Sequence, residues 1–424
     1  MKNNKAPGPD LLINETLKIL CEPLISEITA FYNLCLEKGT FPSAWKNSSL
    51  KLLFKGKGSV SEMSNFRGIS LSCSTYNLLD RMLKTRLYSH MAENIPNNQF
   101  GFVKGRSTIQ AIKQLIAHID NTVYSARIKK PLYALFLDVK KAFDSIDRKF
   151  IFQKLVNSRK LQLEELTLLA EMMDINLVTI WDGVATSNPI IQSNGVKQGG
   201  SLSPLLFIFS LFDLNDLLRE FPSIKLLIYA DDILILSDNL QEIQAFLNRL
   251  VQYLAERHLN LNEDKCKALK FRTKGRGRYK ADDVIKINDK EIEFVSEFIY
   301  LGVKFQASGT SFSKHIAKRV KASIFASSKL NSLPKTSVAT ALKIFDLAIS
   351  PVASYGIEAV WPYLTTADLH TLETAKTRFL KKALCLSKFN KSRYVYELAD
   401  CGGYSSTTCA SNTTCLKRRA TPNF

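Results

Sequence analysis

An apolar run interrupted by two adjacent acids stands out in the hydrophobic pattern of this chain. Residues 225–238 read Lys-Leu-Leu-Ile-Tyr-Ala-Asp-Asp-Ile-Leu-Ile-Leu-Ser-Asp, and the residues flanking Asp231 and Asp232 are those typical of buried strands. Burying two unpaired carboxylates in the middle of one such strand would be costly. The pattern therefore predicts a β-hairpin, with one apolar strand on each side and the acids at its tip.

The rest of the pattern mixes strands with helices. A second apolar run, residues 132–138, ends in Asp138. Helical spacing recurs from Ser72, after a Ser107 cap, around 148–173, at 203–220 and at 240–258, whereas 176–181 and 189–192 are strand-like and a small hairpin turns at Asn288-Asp289. The sequence after about residue 311 is mostly helical and basic. This order predicts an α+β fold with an all-helical appendage.

Composition points to a polyanionic partner. The chain has 424 residues, 46% of them hydrophobic, with 58 Lys and Arg against 39 Asp and Glu, for a net charge of +19. Such an excess favours nucleic acid first and an anionic membrane surface second, and a basic surface that only aids solubility is the alternative. No signal-peptide core opens the chain, and the longest apolar stretches are too short to span a bilayer, so no membrane partner is expected.

The cysteines indicate a reduced compartment. The chain contains 8 of them, without a C-x-x-C pair or a histidine at zinc-finger spacing. Cys401, Cys409 and Cys415 cluster near the end of the chain. We interpret the cysteines as free thiols of an intracellular protein, with a metal knuckle as the alternative.

The acids suggest a metal site. If the strand ending at Asp138 lies beside the hairpin, Asp138 meets Asp231 and Asp232, and crowded carboxylates raise one another's pKa unless cations compensate. Two Mg²⁺ ions would compensate, and such a pair of ions supports phosphoryl transfer. The alternative is that these acids are only turn residues and a strand cap; the basic charge of the chain favours the metal interpretation.

At this point the residues resemble a known family. Tyr229-Ala-Asp-Asp232, together with Phe136-Leu-Asp-Val-Lys-Lys-Ala-Phe143, is similar to the palm motifs of reverse transcriptases. Further blocks resemble those of non-LTR (LINE-type) retrotransposon enzymes, in the family's order: 5–10, 65–71, 98–107, 194–204, 259–267 and 298–303.

The resemblance covers roughly residues 5–380 and implies a right-hand polymerase with fingers, palm and thumb. Residues 1–130 would form the fingers and the start of the palm. Residues 131–310 would form the palm with the catalytic aspartates and part of the fingers. Residues 311–400 would be a helical thumb-like region, and 401–424 a disordered tail.

The family resemblance also implies roles at the catalytic centre. Asp138 and Asp231 would hold two Mg²⁺ ions, or Mn²⁺, helped by the Val139 carbonyl, and Asp232 would be a less direct ligand. Lys265 resembles the palm lysine that protonates departing pyrophosphate; a solvated lysine at a strand end is the alternative.

Two residues would contact the nucleotide beside the metals. Phe143 resembles the steric gate, a ring that clashes with a 2′-hydroxyl and so selects deoxynucleotides; ordinary core packing is the alternative. Gln198 would contact the nucleotide or template from a turn in which Gly199 and Gly200 permit close approach. A plain glycine turn is its alternative.

Basic residues would bind phosphates. Arg67 would grip the incoming triphosphate, assisted by Lys55 or Lys57, because a guanidinium binds phosphate bidentately. A solvated surface turn is the alternative for this loop. Arg106 would contact template phosphate, with a surface arginine near a helix start as the alternative.

The remaining implied contacts concern the primer and the duplex. Tyr300, Leu301 and Gly302 resemble the primer grip, and a core strand is their alternative. The basic helices after residue 311 would clamp the duplex through salt-sensitive contacts.

The chain departs from the family at several positions. Gly68 stands where proline is usual, Leu11 where glycine is common, and Gly200 where cysteine or an acid is more usual, but none of these changes removes a metal ligand. Many LINE-type proteins begin with an endonuclease, which this sequence lacks. We therefore expect a truncated reading frame or an excised polymerase region.

The resemblance predicts an RNA-directed DNA polymerase core of a non-LTR retroelement. It would add dNTPs to the 3′-hydroxyl of a DNA or RNA primer on an RNA template. It would act inside the cell, in the nucleus or in a cytoplasmic ribonucleoprotein; the oligomeric state is open. The alternatives are a catalytically inactive, nucleic-acid-binding remnant and an RNA-dependent RNA polymerase, against which Phe143 argues.

Overall fold

The computed structural model describes residues 1–56, 58–127, 130–181, 186–273 and 283–400. Lys57, the glycine- and arginine-containing loop at 275–278, and the cysteine cluster with its tail at 401–424 lie outside the described residues. The described cysteines form no disulfide.

The described part of the chain mixes helices with short strands, so the prediction of an α+β fold is confirmed. The strands are β1 Asn47–Phe54, β2 Phe66–Ser72, β3 Leu132–Asp138, β4 Asn176–Trp181, β5 Ile190–Gln192, β6 Lys225–Tyr229, β7 Asp232–Ser237, β8 Lys267–Phe271, β9 Lys286–Ile287, β10 Lys290–Glu291, β11 Glu297–Tyr300 and β12 Val303–Gln306.

Short 3-10 and π turns link these strands to the helices. The helices are α1 Asn14–Lys18, α2 Glu22–Lys38, α3 Ser74–Met91, α4 Thr108–Ile119, α5 Ala142–Ser145, α6 Arg148–Ser158, α7 Leu163–Met173, α8 Ser203–Ser210, α9 Leu214–Leu217, α10 Leu240–Ala255, α11 Ser313–Ser328, α12 Val338–Ile344, α13 Ser350–Ser354, α14 Ile357–Val360, α15 Thr366–Ala383 and α16 Ser392–Ala399.

The chain divides into two compact units that alternate along the sequence. The first contains residues 1–106, 136–266 and 284–292, and the second contains residues 107–135, 267–283 and 293–424. Strand β3 contributes its first residues to the second unit and its last three to the first. The sequence-based boundaries at residues 130, 310 and 400 stay predictions.

The first unit contains a sheet in the order β2-β1-β4-β5. Strand β1 pairs antiparallel with β2, placing Leu53 opposite Arg67, and parallel with β4, placing Lys51 opposite Trp181. Residues alternate between the two faces of a strand, so Lys51, Leu53 and Arg67 share one face of this sheet. The strand-like pattern at 176–181 and 189–192 is confirmed as β4 and β5, within one residue.

The predicted aspartate hairpin is also confirmed. Strands β6 and β7 pair antiparallel, with Tyr229 opposite Asp232, so Ala230 and Asp231 form a two-residue turn. Ala230 has φ +58°, a left-handed conformation that such hairpin turns require and that side chains other than glycine rarely adopt. Strand β7 is hydrogen-bonded to β3 on its other side.

An aromatic core supports the helices of the first unit. Tyr32 on α2 and Tyr76 on α3 are buried together with Phe41 and Trp45, whose rings lie 6.1 Å apart. The Tyr32 hydroxyl donates to the Thr75 carbonyl at 2.8 Å, which satisfies its polar end.

One expected helix is broken. The pattern at 203–220 predicts a continuous helix, but α8 ends at Ser210 and α9 starts only at Leu214. Lys154 and Arg257 donate to the Ser210 carbonyl at 3.1 and 3.3 Å, and Asp213 accepts from both side chains at 2.7 Å. The cations satisfy a carbonyl that a longer helix would use internally, which favours the break.

The second unit is mostly helical. Its helix α4 begins after the predicted Ser107 cap, and the structure adds Gln110 as the second member of a capping box. Helices α11 and α15 are the longest of its C-terminal part, and the buried faces of Val320 and Leu372 meet in one apolar cluster. No single described helix is long and apolar enough to cross a membrane, although the bent pair Val338–Ser354 and Ile357–Tyr363 passes by length and composition.

The Asp213 cluster yields a stability prediction. Burial raises the pKa of Asp213, but the hydrogen bonds and charges of Lys154, Tyr253 and Arg257 outweigh burial and lower it overall. Asp213→Asn should cost roughly 2 kcal/mol in the free energy of unfolding at pH 7, because it removes the carboxylate 2.7 Å from the buried Arg257 guanidinium and leaves the exposed Glu256, at 3.3 Å, as its carboxylate partner. A lowered folded-state pKa stabilises above the ordinary value of 3.8, so the loss should shrink as pH falls below it.

Denaturant titrations at pH 7 and pH 3 measure this difference. Asp216→Asn is the matched control, because the Asp216 side chain is 63% exposed and its described ion pair is with Arg219 in the same turn. An Asp213→Asn protein as stable as the control at pH 7 would contradict the prediction.

Candidate active site

Three aspartates meet at one end of the first unit. Asp231 lies in the β6–β7 turn, Asp232 begins β7, and Asp138 ends β3, the strand that neighbours β7. The charges of Asp138 and Asp231 both act on Asp232, and the charge of Asp138 acts on Asp231. The structure thus brings together the acids that the sequence pattern singled out.

These carboxylates are short of positive charge. Burial, reinforced by the charges of Asp231 and Asp138, raises the pKa of Asp232 to about 6. Burial also raises the pKa of Asp231, with Asp138 adding to the effect and Arg67 and Lys265 opposing it. Bringing cations to this end of the hairpin would therefore lower the free energy of the folded protein.

Lys265 supplies part of the missing charge. Its ammonium lies 3.0 Å from Asp138 Oδ2, and its side chain is 65% exposed. The segment before Lys265 runs along the end of β3, where the Asn262 amide donates to the Asp138 carbonyl at 2.8 Å and the Lys140 amide donates to the Asn260 carbonyl at 2.7 Å. Neither of these two hydrogen bonds occupies the Val139 carbonyl, which the family resemblance gives as a metal ligand.

The donor set fits hard divalent cations in chemical type. As the side chains are placed, no group of three His, Cys, Asp or Glu residues in the described part of the chain is arranged to enclose a metal ion. Oxygen donors from Asp138, Asp231 and Asp232, with the Val139 carbonyl, are nonetheless the ligands that Mg²⁺ prefers. The Lys265 contact uses Oδ2 of Asp138, so an ion can bind at Oδ1 or replace the ammonium at Oδ2.

A buried glutamine holds the Ala230-Asp231 turn. Gln99 is 2% exposed, and its Oε1 accepts from the amides of Ala230 at 3.2 Å and Gly101 at 2.9 Å. Residues 98–100 also pair with Ile228 through main-chain bonds of 2.8 and 2.7 Å. A Cβ on Gly101 would lie 2.5 Å from the Ala230 nitrogen, so only glycine fits there. These contacts hold Ala230 in its left-handed conformation, and with it the direction of Asp231.

Sequence reasoning assigned no role to Gln99 or Gly101, although both lie in the quoted block at 98–107. The signal available was weak, because Gln99 follows the polar residues Asn97 and Asn98, and the apolar Phe100 comes only after it. A glutamine needs an internal partner when it is buried, but the pattern does not say which one.

Phe143 lies on an aromatic support. Its ring stacks on Phe207 at 5.0 Å between centroids and meets Phe102 edge-on at 6.3 Å. The main chain turns just before it, at Lys141, which has φ +46°. Phe143 is half-buried, so part of its side chain stays exposed beside this packed aromatic support.

Gln198 is held in a loop bound on two sides. Its carboxamide donates to Asp144 Oδ1 at 2.7 Å, and its carbonyl accepts from the Ser70 amide of β2 at 2.8 Å. Gly199 has φ +118°, and a Cβ there would lie 2.9 Å from the Ser70 carbonyl. The close approach expected of the glycine turn is therefore to β2.

The predicted phosphate-binding residues differ in their surroundings. Arg67 is exposed on β2, and its charge acts on Asp231. Lys55 donates to the Ser64 carbonyl at 2.8 Å within its own loop. Arg106 donates to the carbonyls of Pro96 and Gln99, the latter at 2.6 Å, so it supports the segment that holds the Ala230-Asp231 turn. The phosphate contacts of all three stay predictions.

The expected primer-grip residues belong to the second unit. Leu301 and Gly302 form the turn of the β11–β12 hairpin, with φ +44° and +84°, and Tyr300 is buried. The Tyr355 hydroxyl donates to the Leu301 carbonyl at 2.8 Å. A Cβ on Gly302 would lie 2.7 Å from the Tyr355 ring. This tight turn explains the glycine, and the primer contact stays a prediction.

Comparisons with known proteins agree on one family. A family model described as "Reverse transcriptase (RNA-dependent DNA polymerase)" matches residues 54–305. The chain is 28% identical over 389 residues to the probable RNA-directed DNA polymerase from transposon X-element of Drosophila melanogaster, covering 89% of this chain and 42% of the relative. It is 26% identical to the RNA-directed DNA polymerase from mobile element jockey of Drosophila funebris, with 90% and 42% covered.

A third relative is the Retrovirus-related Pol polyprotein from type-1 retrotransposable element R2 of Nasonia vitripennis, 28% identical, with 72% of this chain and 30% of the relative covered. The chain thus spans less than half the length of these relatives. Among solved structures, apo telomerase from Candida tropicalis matches with a TM-score of 0.48 at 11% identity, covering 90% of this chain and 67% of that one.

The raised pKa of Asp232 gives a prediction for the protein without added metal. A raised folded-state pKa means that stability is present below the ordinary value of 3.8 and is lost as pH rises through about 6. Asp232→Asn should therefore raise the free energy of unfolding at pH 7 by about 2 kcal/mol, because it removes a buried charge crowded by two others. Below pH 3.8 the gain in the free energy of unfolding should disappear, because the Asp232 carboxyl is then neutral in the folded and the unfolded protein, as the asparagine is at every pH.

Thermal unfolding in EDTA at both pH values tests this, with the exposed turn variant Asp289→Asn as the control. Added Mg²⁺ should stabilise the wild type more than Asp232→Asn. A variant that is no more stable than wild type at pH 7 would refute the electrostatic account.

Proposed function

Because the chain belongs to the reverse transcriptase family, we propose that it is the polymerase region of a non-LTR retrotransposon and catalyses RNA-directed DNA synthesis. The resemblance drawn from its motifs is confirmed at the level of the family, whose model matches residues 54–305. The observation that carries the proposed activity is the meeting of Asp138, Asp231 and Asp232 within that segment.

The proposed reaction adds a dNTP to a primer 3′-hydroxyl and releases pyrophosphate. Asp138 and Asp231, with the Val139 carbonyl, would hold two Mg²⁺ ions, or Mn²⁺, and Asp232 would add charge as a less direct ligand. When bound, such ions lower the pKa of the attacking hydroxyl and neutralise charge on the leaving phosphate oxygen.

Lys265 would act on the leaving group. Its ammonium already lies within hydrogen-bond distance of Asp138, and its exposed side chain is free to turn toward a phosphate once Asp138 has another cation. We propose that Nζ donates its proton to the oxygen of pyrophosphate that leaves the α-phosphorus, which avoids releasing a fully charged product.

Other residues of the first unit would position the nucleotide. Arg67, which already acts on Asp231, would bind the triphosphate with help from Lys55. Phe143 would lie under the sugar, supported by Phe207 so that it cannot retreat from a 2′-hydroxyl. Gln198 would contact the nucleotide or the template strand.

The proposed partners are an RNA template and a DNA or RNA primer. The net charge of +19 supports binding to their phosphates. Arg106, the Tyr300–Gly302 turn and the basic helices after residue 311 would add contacts to template, primer and duplex.

The second candidate is a remnant that binds nucleic acid without catalysis. The charge of the chain alone would support it, and so would the placement of the carboxylates, which do not enclose a metal ion by themselves. The two candidates differ in whether the protein extends a primer and whether that extension depends on the aspartates.

A primer-extension assay tests the proposal. Purified protein with Mg²⁺, dNTPs and a primed RNA template should extend the primer, and Asp231→Asn should reduce the rate by at least about a thousandfold, because an amide cannot replace a carboxylate at the metals. RNA binding, followed by filter retention, should persist in the variant. Extension by neither protein, with RNA binding retained by both, would favour the remnant.

Sugar selection provides a separate prediction. Phe143→Val should lower the preference for dNTPs over rNTPs by about 10- to 100-fold, because a smaller side chain leaves room for the 2′-hydroxyl. The measurement is the ratio of kcat/KM for dCTP and CTP. Phe221→Val, a similar truncation at a half-buried ring packed on Phe246, should leave the ratio unchanged. An unchanged ratio in Phe143→Val would remove Phe143 from the sugar site.

A further inference from the structure

A buried arginine binds one end of the Gln198 loop. Arg148, at the first position of α6, is 6% exposed, and its guanidinium donates to five main-chain carbonyls. The acceptors lie at 2.5 to 3.2 Å and belong to Met173, Asp174, Gln192, Asn194 and Gly195. Arg148 thus joins the C-terminal end of α7 to the end of β5 and the start of the loop.

A buried aspartate binds the other end. Asp80, on α3, is 4% exposed, and its Oδ2 accepts from the amides of Ser201 at 2.6 Å and Leu202 at 3.2 Å. The loop from 194 to 202 is therefore fixed by its carbonyls at one end and by its amides at the other, through side chains of opposite charge. We call Arg148 and Asp80 the buried charge clamp.

The loop between the two ends of the clamp contacts residues of the proposed nucleotide site. The Val196 amide donates to the Phe143 carbonyl at 2.7 Å, and a Cβ on Gly195 would lie 2.5 Å from the Asp144 carbonyl. Gln198 follows within the same loop and bonds to Asp144. A shift of the loop would move Gln198 and would also loosen the main chain that carries Phe143.

Desolvation opposes this arrangement. Burying a guanidinium and a carboxylate apart from each other costs desolvation, and each here binds only main-chain groups among its described hydrogen bonds. Lys197 adds a third buried charge, with its ammonium 4.4 Å from the Tyr76 ring and without a hydrogen-bond partner among the described residues. Arg148 and Asp80, whose buried charges are bonded to the main chain, restrict the geometry of the loop, which suits a loop that must place a side chain.

We propose that Arg148 and Asp80 are positioning residues. They hold the loop that carries Gln198 and supports the main chain of Phe143, and they thereby determine dNTP affinity and sugar selection. This inference rests on the proposed polymerase function. Neither residue touches the nucleotide; both act through the main chain of the loop.

The test uses conservative variants. Arg148→Lys keeps the charge but can reach fewer of the five carbonyls, and Asp80→Asn keeps an acceptor but loses the charge-assisted bonds to the two amides. Each should raise KM for dNTP by about tenfold, because small misplacements of a binding group are costly, while the Kd for primer–template changes less than twofold. The dCTP/CTP selectivity should fall in both variants.

Two comparisons separate positioning from other effects. Lys149→Met removes an exposed charge next to Arg148 on the same helix and should leave KM and selectivity unchanged. In the double variant Asp80→Asn with Lys197→Met, the second substitution also removes the Lys197 ammonium, whose charge Asp80 offsets. The KM increase should persist in the double variant if it comes from the lost loop bonds, and a return to the wild-type KM would overturn the assignment of Asp80.

A structural role alone has a different signature. It would lower the melting temperature and the amount of active enzyme without changing KM or selectivity, and either that outcome or loss of folding in both single variants would overturn the proposal. Amide hydrogen exchange of residues 194–202, which needs no activity, should be faster in Arg148→Lys and Asp80→Asn than in Lys149→Met. If the wild-type protein extends no primer, the proposed function fails. If amide hydrogen exchange of residues 194–202 is unchanged in the folded variants, the proposed role of Arg148 and Asp80 fails.

Discussion

Repulsion among Asp138, Asp231 and Asp232 is the constraint on which the rest of the first unit depends. The three carboxylates meet where β3 ends and the β6–β7 hairpin turns, and burial together with their mutual charge raises the pKa values of Asp231 and Asp232. A fold that keeps such groups together must hold them by other contacts. Without those contacts the chain would relieve the repulsion by moving the acids apart.

The holding contacts come mainly from the main chain and from buried polar side chains. Gln99 binds the amide of Ala230 and so supports a left-handed residue at the tip of the hairpin. Lys265 offsets the charge of Asp138 from a segment that is hydrogen-bonded to the end of β3. The loop that carries Gln198 is fixed in the same way, with its amides on Asp80 and its carbonyls on Arg148. Apart from Lys265, the neighbours that place the reactive groups take no part in the proposed chemistry.

Much of this could be predicted from local patterns. The apolar flanks of Asp231 and Asp232 predict two strands, because no single buried strand tolerates two unpaired carboxylates, and the hairpin has that form. The Ser107 cap and the Asn288-Asp289 turn are likewise local signals, and both occur as expected. The continuous helix over 203–220 was a wrong prediction, because the break at Ser210 depends on Lys154 and Arg257, which are distant in sequence.

The sequence by itself determined which residues could carry the chemistry: the aspartates, Phe143, Gln198, Arg67 and Lys265 stand in ordered motifs whose residue types already indicate metal, sugar and phosphate binding. Only the tertiary structure decided what surrounds them. It paired Asp138 with Lys265, engaged Arg106 with the carbonyls of Pro96 and Gln99, and gave Gln99, Asp80 and Arg148 their partners. The physical reason is that periodicity and turn chemistry act between near neighbours in the chain, whereas a buried polar group is satisfied by whatever donor or acceptor the fold brings to it.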